Sequence, residues 1–183
     1  MLQVGLNSFG DDGKDDERTS IDCYEPNLNI QYIGIKDTIE YLDKNKTRQT
    51  IVISNIAIYD IANNKTNYVF KDTLKHKITG FYFESRYIEE QKTIEFNSSF
   101  NEFYRHSNNI NVSTRTLSNN LIIVTEDLLT KNVTFWLCDK LGNITKKELE
   151  ITKDWNWEID VKNRLIRTTR QVKSKIEIQN IKY

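Results

Sequence analysis

The chain has 183 residues, 38% hydrophobic and 11% aromatic, enough apolar material for one core or two small ones without disulfide or metal staples. Its 26 lysines and arginines balance 26 aspartates and glutamates, so no net field draws the whole molecule toward nucleic acid or an anionic membrane. No run of 18 apolar residues occurs, and Met1-Leu2-Gln3-Val4-Gly5-Leu6-Asn7 has neither a basic region nor an apolar one; as written, the chain is expected to be cytoplasmic with no membrane span, exported only if a leader has been removed.

Residues 1–27 are expected to form an irregular acidic segment. Gly10-Asp11-Asp12-Gly13-Lys14-Asp15-Asp16-Glu17 holds no apolar residue to offset the entropy of ordering. Its carboxylates invite a calcium reading, but the alternating ligands and the glutamate at position twelve of a calcium loop are missing. A solvated loop is expected.

From residue 28 to 183 strand patterning dominates, and a single all-β antiparallel domain is expected. Leu28-Asn29-Ile30-Gln31-Tyr32-Ile33 alternates, Ile51 to Ile61 is β-branched, Gly80-Phe81-Tyr82-Phe83 is aromatic, and Thr93-Ile94-Glu95-Phe96 alternates again. Between the first two, Asp37 to Lys46 offers the one helix candidate, with Asp37 as N-cap and Glu40 at the capping-box position. Thr38, Ile39 and Tyr41 in the same stretch suit a strand equally well.

Further strands are expected at Leu121 to Thr125, Val133 to Cys138, Glu148 to Ile151, Leu165 to Arg170 and Lys175 to Ile181. The clearest is Asp154-Trp155-Asn156-Trp157-Glu158-Ile159-Asp160-Val161. A period of two puts Trp155, Trp157, Ile159 and Val161 on a core face and the acids with Asn156 on a solvated face. Arg164, Arg167 or Arg170 on the return strand would pair with those acids.

Asp60 to Asp72 can be laid on Asp127 to Asp139: in both, a strand ends in Asp, a polar turn follows, and a bulky return strand ends near a second Asp. Each copy precedes a further hairpin, so each unit reads as four antiparallel strands. These residues, with Ile58-Tyr59-Asp60, Tyr68-Val69-Phe70 and Phe135-Trp136-Leu137-Cys138-Asp139, resemble the β-propeller repeats of the TolB-like and WD-type families over roughly residues 50 to 183. The resemblance implies propeller-like four-stranded units and a binding scaffold, and carries over no catalytic residue. The 67-residue offset exceeds the usual blade of about 40 to 50 residues, and the chain is short for a closed ring. A partial propeller and a β-sandwich of the same hairpins are both open.

Chemistry is sparse. His76 and His106 lack a second His or Cys at ligand spacing, and GxSxG, HExxH, P-loop and GxGxxG motifs are absent. Cys23 and Cys138 lack CxxC spacing, and a disulfide between them would require export. Six sequons begin at Asn45, Asn64, Asn97, Asn111, Asn132 and Asn143, as chance allows in a chain rich in Asn and Thr. No cofactor, metal site or catalytic residue is assigned.

The expectation is a non-catalytic binding or scaffold module recognising a protein or ligand through a β-sheet surface. The alternatives are a carbohydrate-active hydrolase with paired carboxylates and a nucleic-acid binder using Lys162, Arg164, Arg167, Arg170, Lys173 and Lys175. Nucleic acid is disfavoured by the balanced charge. The terminal strand Lys175 to Ile181 is expected either to close the fold against Leu28 to Ile33 or to pair with another chain, giving an oligomer through an edge strand.

Overall fold

A computed structural model describes residues 22–71, 76–98, 110–111, 116–143 and 145–183. The regular structure among them is entirely β-strand, arranged in three antiparallel sheets, none of them closed. The first sheet is a meander of β1 (Asp22–Glu25), β2 (Ile30–Asp43), β3 (Lys46–Asp60) and β4 (Lys65–Tyr68). The second contains β5 (His76–Ile88), β6 (Thr93–Ser98), β7 (Ile110–Asn111), β8 (Asn120–Asp127), β9 (Val133–Asp139) and β10 (Thr145–Ile151), in the spatial order β10-β9-β8-β5-β6-β7. The third is a meander of β11 (Asn156–Asp160), β12 (Leu165–Val172) and β13 (Lys175–Lys182). The acidic segment at Gly10 to Glu17 lies outside the described residues.

The second sheet is the middle layer. Along β8 successive side chains alternate between two cores: Leu121 and Ile123 join Tyr32, Ile56, Phe81 and Phe83 against the first sheet, whereas Ile122 and Val124 join Phe135, Ile151 and Ile166 against the third. A strand covered on both faces reads as an unbroken apolar run, which is why Leu121-Ile122-Ile123-Val124 shows no polar position. Trp155, Trp157 and Ile159 pack against the second core, and Val161 is buried, as the alternation of that strand predicts.

Asp37 to Asp43 is strand and Lys46 begins the next one, which corrects the helix expectation for Asp37 to Lys46. It forms the outer part of the β2–β3 hairpin, with Ile39 opposite Thr50 and Tyr41 opposite Arg48. Lys44 and Asn45 occupy a two-residue turn at φ 46° and 67°, the doubly left-handed turn whose twist matches that of the flanking strands. The Asp37 carboxylate accepts from the adjacent Thr38 N–H at 2.8 Å instead of capping a helix, and the β-branched neighbours favour the ladder.

Five short loops share one device. Each carries a left-handed residue at its last or next-to-last position, namely Asn29, Asn64, Lys92, Lys131 and Arg164, at φ between 50° and 62°. In three of them an aspartate just before the loop ties it down: Asp60 accepts from Asn63 N–H at 3.0 Å, Asp127 from Thr130 N–H at 2.7 Å, and Asp160 from Asn163 N–H at 3.1 Å. The sequence likeness of Asp60 to Asp127 is this turn, and Asp160 is a third copy. The four-stranded units do not coincide with sheets: β3 and β4 lie in the first sheet and β5 and β6 in the second, while β8 to β10 lie in the second and β11 and β12 in the third.

The terminal strand β13 does not close the fold. Among the described residues it bonds β12 alone, and Ile30 to Ile33 is already paired with β1 on one side and β3 on the other. No free ladder remains there for β13 to join.

Candidate binding surfaces

Four charged residues meet between the layers. Glu84, fully buried on β5, receives Arg164 from the β11–β12 turn through Nε at 3.0 Å and Nη2 at 2.8 Å, and Ser118 N–H at 2.7 Å. The Arg164 Nη2 also donates to the Thr116 carbonyl. On the other side Lys140, buried after β9, donates to the Glu84 carbonyl oxygen at 2.6 Å and lies 3.4 Å from Glu25 Oε1 and 5.8 Å above the Phe83 ring. Glu25, also fully buried, accepts from Leu28 N–H at 2.7 Å and Asn27 Nδ2 at 2.9 Å. Burial pulls the Lys140 ammonium pKa down, against the opposing attraction of Glu25 and Glu84. Every one of these charges is engaged by protein, an arrangement that serves layer-to-layer adhesion. Sequence reasoning missed these residues because the partners are as many as 115 positions apart; the one signal was an acid directly after Phe81-Tyr82-Phe83.

The acidic face of the tryptophan strand is neutralised from the return strands. Arg167 bonds Glu158 at 2.7 Å and Asp160 at 3.1 Å; Arg170 lies over the Trp155 ring at 4.7 Å and reaches Asp154 at 3.4 Å and Glu177 at 2.5 Å. Arg164, grouped with them by sequence, turns inward to Glu84.

His76 begins β5 and lines a groove of about 290 Å³ with Asp127, Trp136, Lys147 and Glu150. His76 Nδ1 lies 3.3 Å from Asp127 Oδ2. The Asp127 carboxyl is held below the usual carboxylate range chiefly by the Thr130 backbone N–H, and Glu150 chiefly by its hydrogen bond from Lys147. His106 lies outside the described residues. A second groove of about 290 Å³ is lined by Asp60, Asn63, Lys65, Asn67, Leu141 and Asn143. Neither cysteine forms a disulfide: Cys138 is buried and accepts from Thr145 Oγ1 at 3.2 Å, and Cys23 packs against the same core. Among the described residues no cluster of three potential metal ligands occurs, and no helix is long and apolar enough to cross a membrane.

Two ribbons run past the stacked layers. The β2–β3 ribbon carries Leu42 and Ile51, each 59% exposed, and the β12–β13 ribbon carries Ile176 and Ile178 at 71% and 57%. β11 reaches only as far as Thr169 along β12, so the ribbon from Arg170 to Glu177 is two-stranded.

No protein-family model matches the chain, and searches of curated proteins and of solved structures likewise return no match.

Proposed function

We propose that the chain is a non-catalytic binding or scaffold module that recognises a protein through free sheet edges on its projecting ribbons. The observation that carries this reading is the β12–β13 ribbon, an exposed edge strand bearing two isoleucines beyond the core. An open edge is a template for strand addition, with main-chain bonds supplying affinity and alternate side chains specificity. Sheets of adjacent antiparallel hairpins stacked face to face support a propeller-like stack as the rigid body, open and not a ring.

The hydrolase alternative is disfavoured by the grooves. A glycosidase pair needs one carboxyl raised into proton-donor range, and the two carboxyls beside His76 are both held low. The nucleic-acid alternative is disfavoured because Arg164, Arg167 and Arg170 all engage carboxylates.

The test is a photo-cross-linking residue at Ile178, at Leu42 and, as control, at the exposed Lys153, with the protein expressed in its native host. Adducts at the ribbon positions and none at Lys153 are expected. No adduct at either ribbon would refute the reading.

A further inference from the structure

The hydrogen-bond phase of β13 identifies which main-chain groups are open. The turn at Lys173 and Ser174 leaves Val172 opposite Lys175, and in such a two-residue hairpin that pair exchanges both N–H···O bonds, followed by every second pair. Tyr183 N–H donating to Arg164 O at 3.1 Å keeps this phase to the end of the strand. The N–H and C=O of Ile176, Ile178, Asn180 and Lys182 therefore point away from β12. A two-stranded ribbon is marginally stable in water by itself, so its outer half gains from a third strand.

We propose that β13 pairs antiparallel with β13 of a second copy of this chain, about a two-fold axis passing beside Glu177; this rests on the strand-docking reading above. A two-fold axis perpendicular to the sheet keeps the faces aligned and sets outward-pointing residues opposite one another. Centred on Glu177, it sets Ile176 against Ile178 of the second copy, and the reverse, so four isoleucines cluster on one face. Centred on Ile178, it sets Ile176 against Asn180; centred on Gln179, it sets Ile178 against Asn180 and Ile176 against Lys182. Only the Glu177 register covers both isoleucines with isoleucine. It also brings the two Glu177 carboxylates together, and each is already held by Arg170 of its own chain through Nη2 at 2.5 Å and Nε at 3.2 Å. The result is a ladder of Arg170, Glu177, Glu177 and Arg170 in which the like charges are flanked by their counter-ions. The ribbon tips overlap, and the two bodies lie at opposite ends of the joint.

Sedimentation velocity and oxidative cross-linking of the full chain test this. A non-hydrogen-bonded antiparallel pair has Cα atoms about 4.5 Å apart, within disulfide reach, so E177C is expected to cross-link to its symmetry mate. Q179C, with Lys175 of the second copy opposite it, is expected to leave its thiols too far apart to join. Ile178→Pro removes an open donor at an exposed position and is expected to leave a folded monomer. A monomeric parent protein, a dimer that survives Ile178→Pro, or equal cross-linking of E177C and Q179C would each overturn the proposal. So would a monomer whose Ile176 and Ile178 amides resist hydrogen exchange, since another segment of the same chain would then cover the edge. The photo-adduct at Ile178 separates this failure from that of the binding reading: an adduct of another protein's mass on a monomeric chain refutes self-pairing alone.

Discussion

Arg164 and Glu84, 80 residues apart, join the third sheet to the middle one by two parallel charge-assisted bonds at 3.0 and 2.8 Å. Glu84 is fully buried, so removing Arg164 takes away its charge partner and leaves the carboxylate held by the Ser118 N–H. Arg164→Ala is expected to lower unfolding free energy by about 3 to 5 kcal/mol, whereas Arg164→Lys recovers part of it because an ammonium cannot present two parallel donors. Urea midpoints measure both. A loss below about 1 kcal/mol from Arg164→Ala would mean that the pair is solvated.

Trp157 stands edge-on to Phe135 at 5.3 Å and to Tyr82 at 6.3 Å, between the second and third sheets. Trp157→Ala is expected to cost about 3 kcal/mol through the cavity left behind. Thermal unfolding of the variant checks it, and a neutral substitution would place that ring on a free surface.

The turn aspartates predict acid sensitivity. Hydrogen bonds from Thr130 depress the Asp127 pKa, and hydrogen bonds from Asn163 that of Asp160. A folded-state pKa below the unfolded one contributes stability that is present above the unfolded value and lost as pH falls through the folded one. Urea midpoints are expected to drop between about pH 5 and pH 2, and Asp127→Asn to flatten that dependence. An unchanged slope in Asp127→Asn would remove Asp127 from the account.

Burial pushes the Cys138 thiol up to about 11 and the Cys23 thiol up to about 12. At pH 8 about one molecule in a thousand or fewer would carry either thiolate. Ellman's reagent is therefore expected to leave the native protein unmodified and to titrate two thiols after unfolding. Rapid reaction at the buried Cys138 of the native protein would show that the first core opens.

Local pattern determined much of this molecule. Alternation at Trp155, Trp157, Ile159 and Val161 and the apolar run at Leu121 to Val124 specify strands and their buried faces, because a two-residue period is a property of the pleat itself. The aspartate turns were visible for the same reason, since Asp60 and Asp127 act on groups three residues away. The segment Asp37 to Lys46 was ambiguous because its capping signals and its β-branched residues compete locally, and pairing with Lys46 to Val52 decides between them. Only the tertiary structure decided that the repeated hairpins are divided among three stacked sheets, that Glu25, Glu84, Lys140 and Arg164 converge between them, and that β13 stands last in its sheet among the described residues. Each of these depends on contacts between residues far apart in the chain, where the free energy of burying a charge or pairing an edge is set by neighbours that no local period encodes.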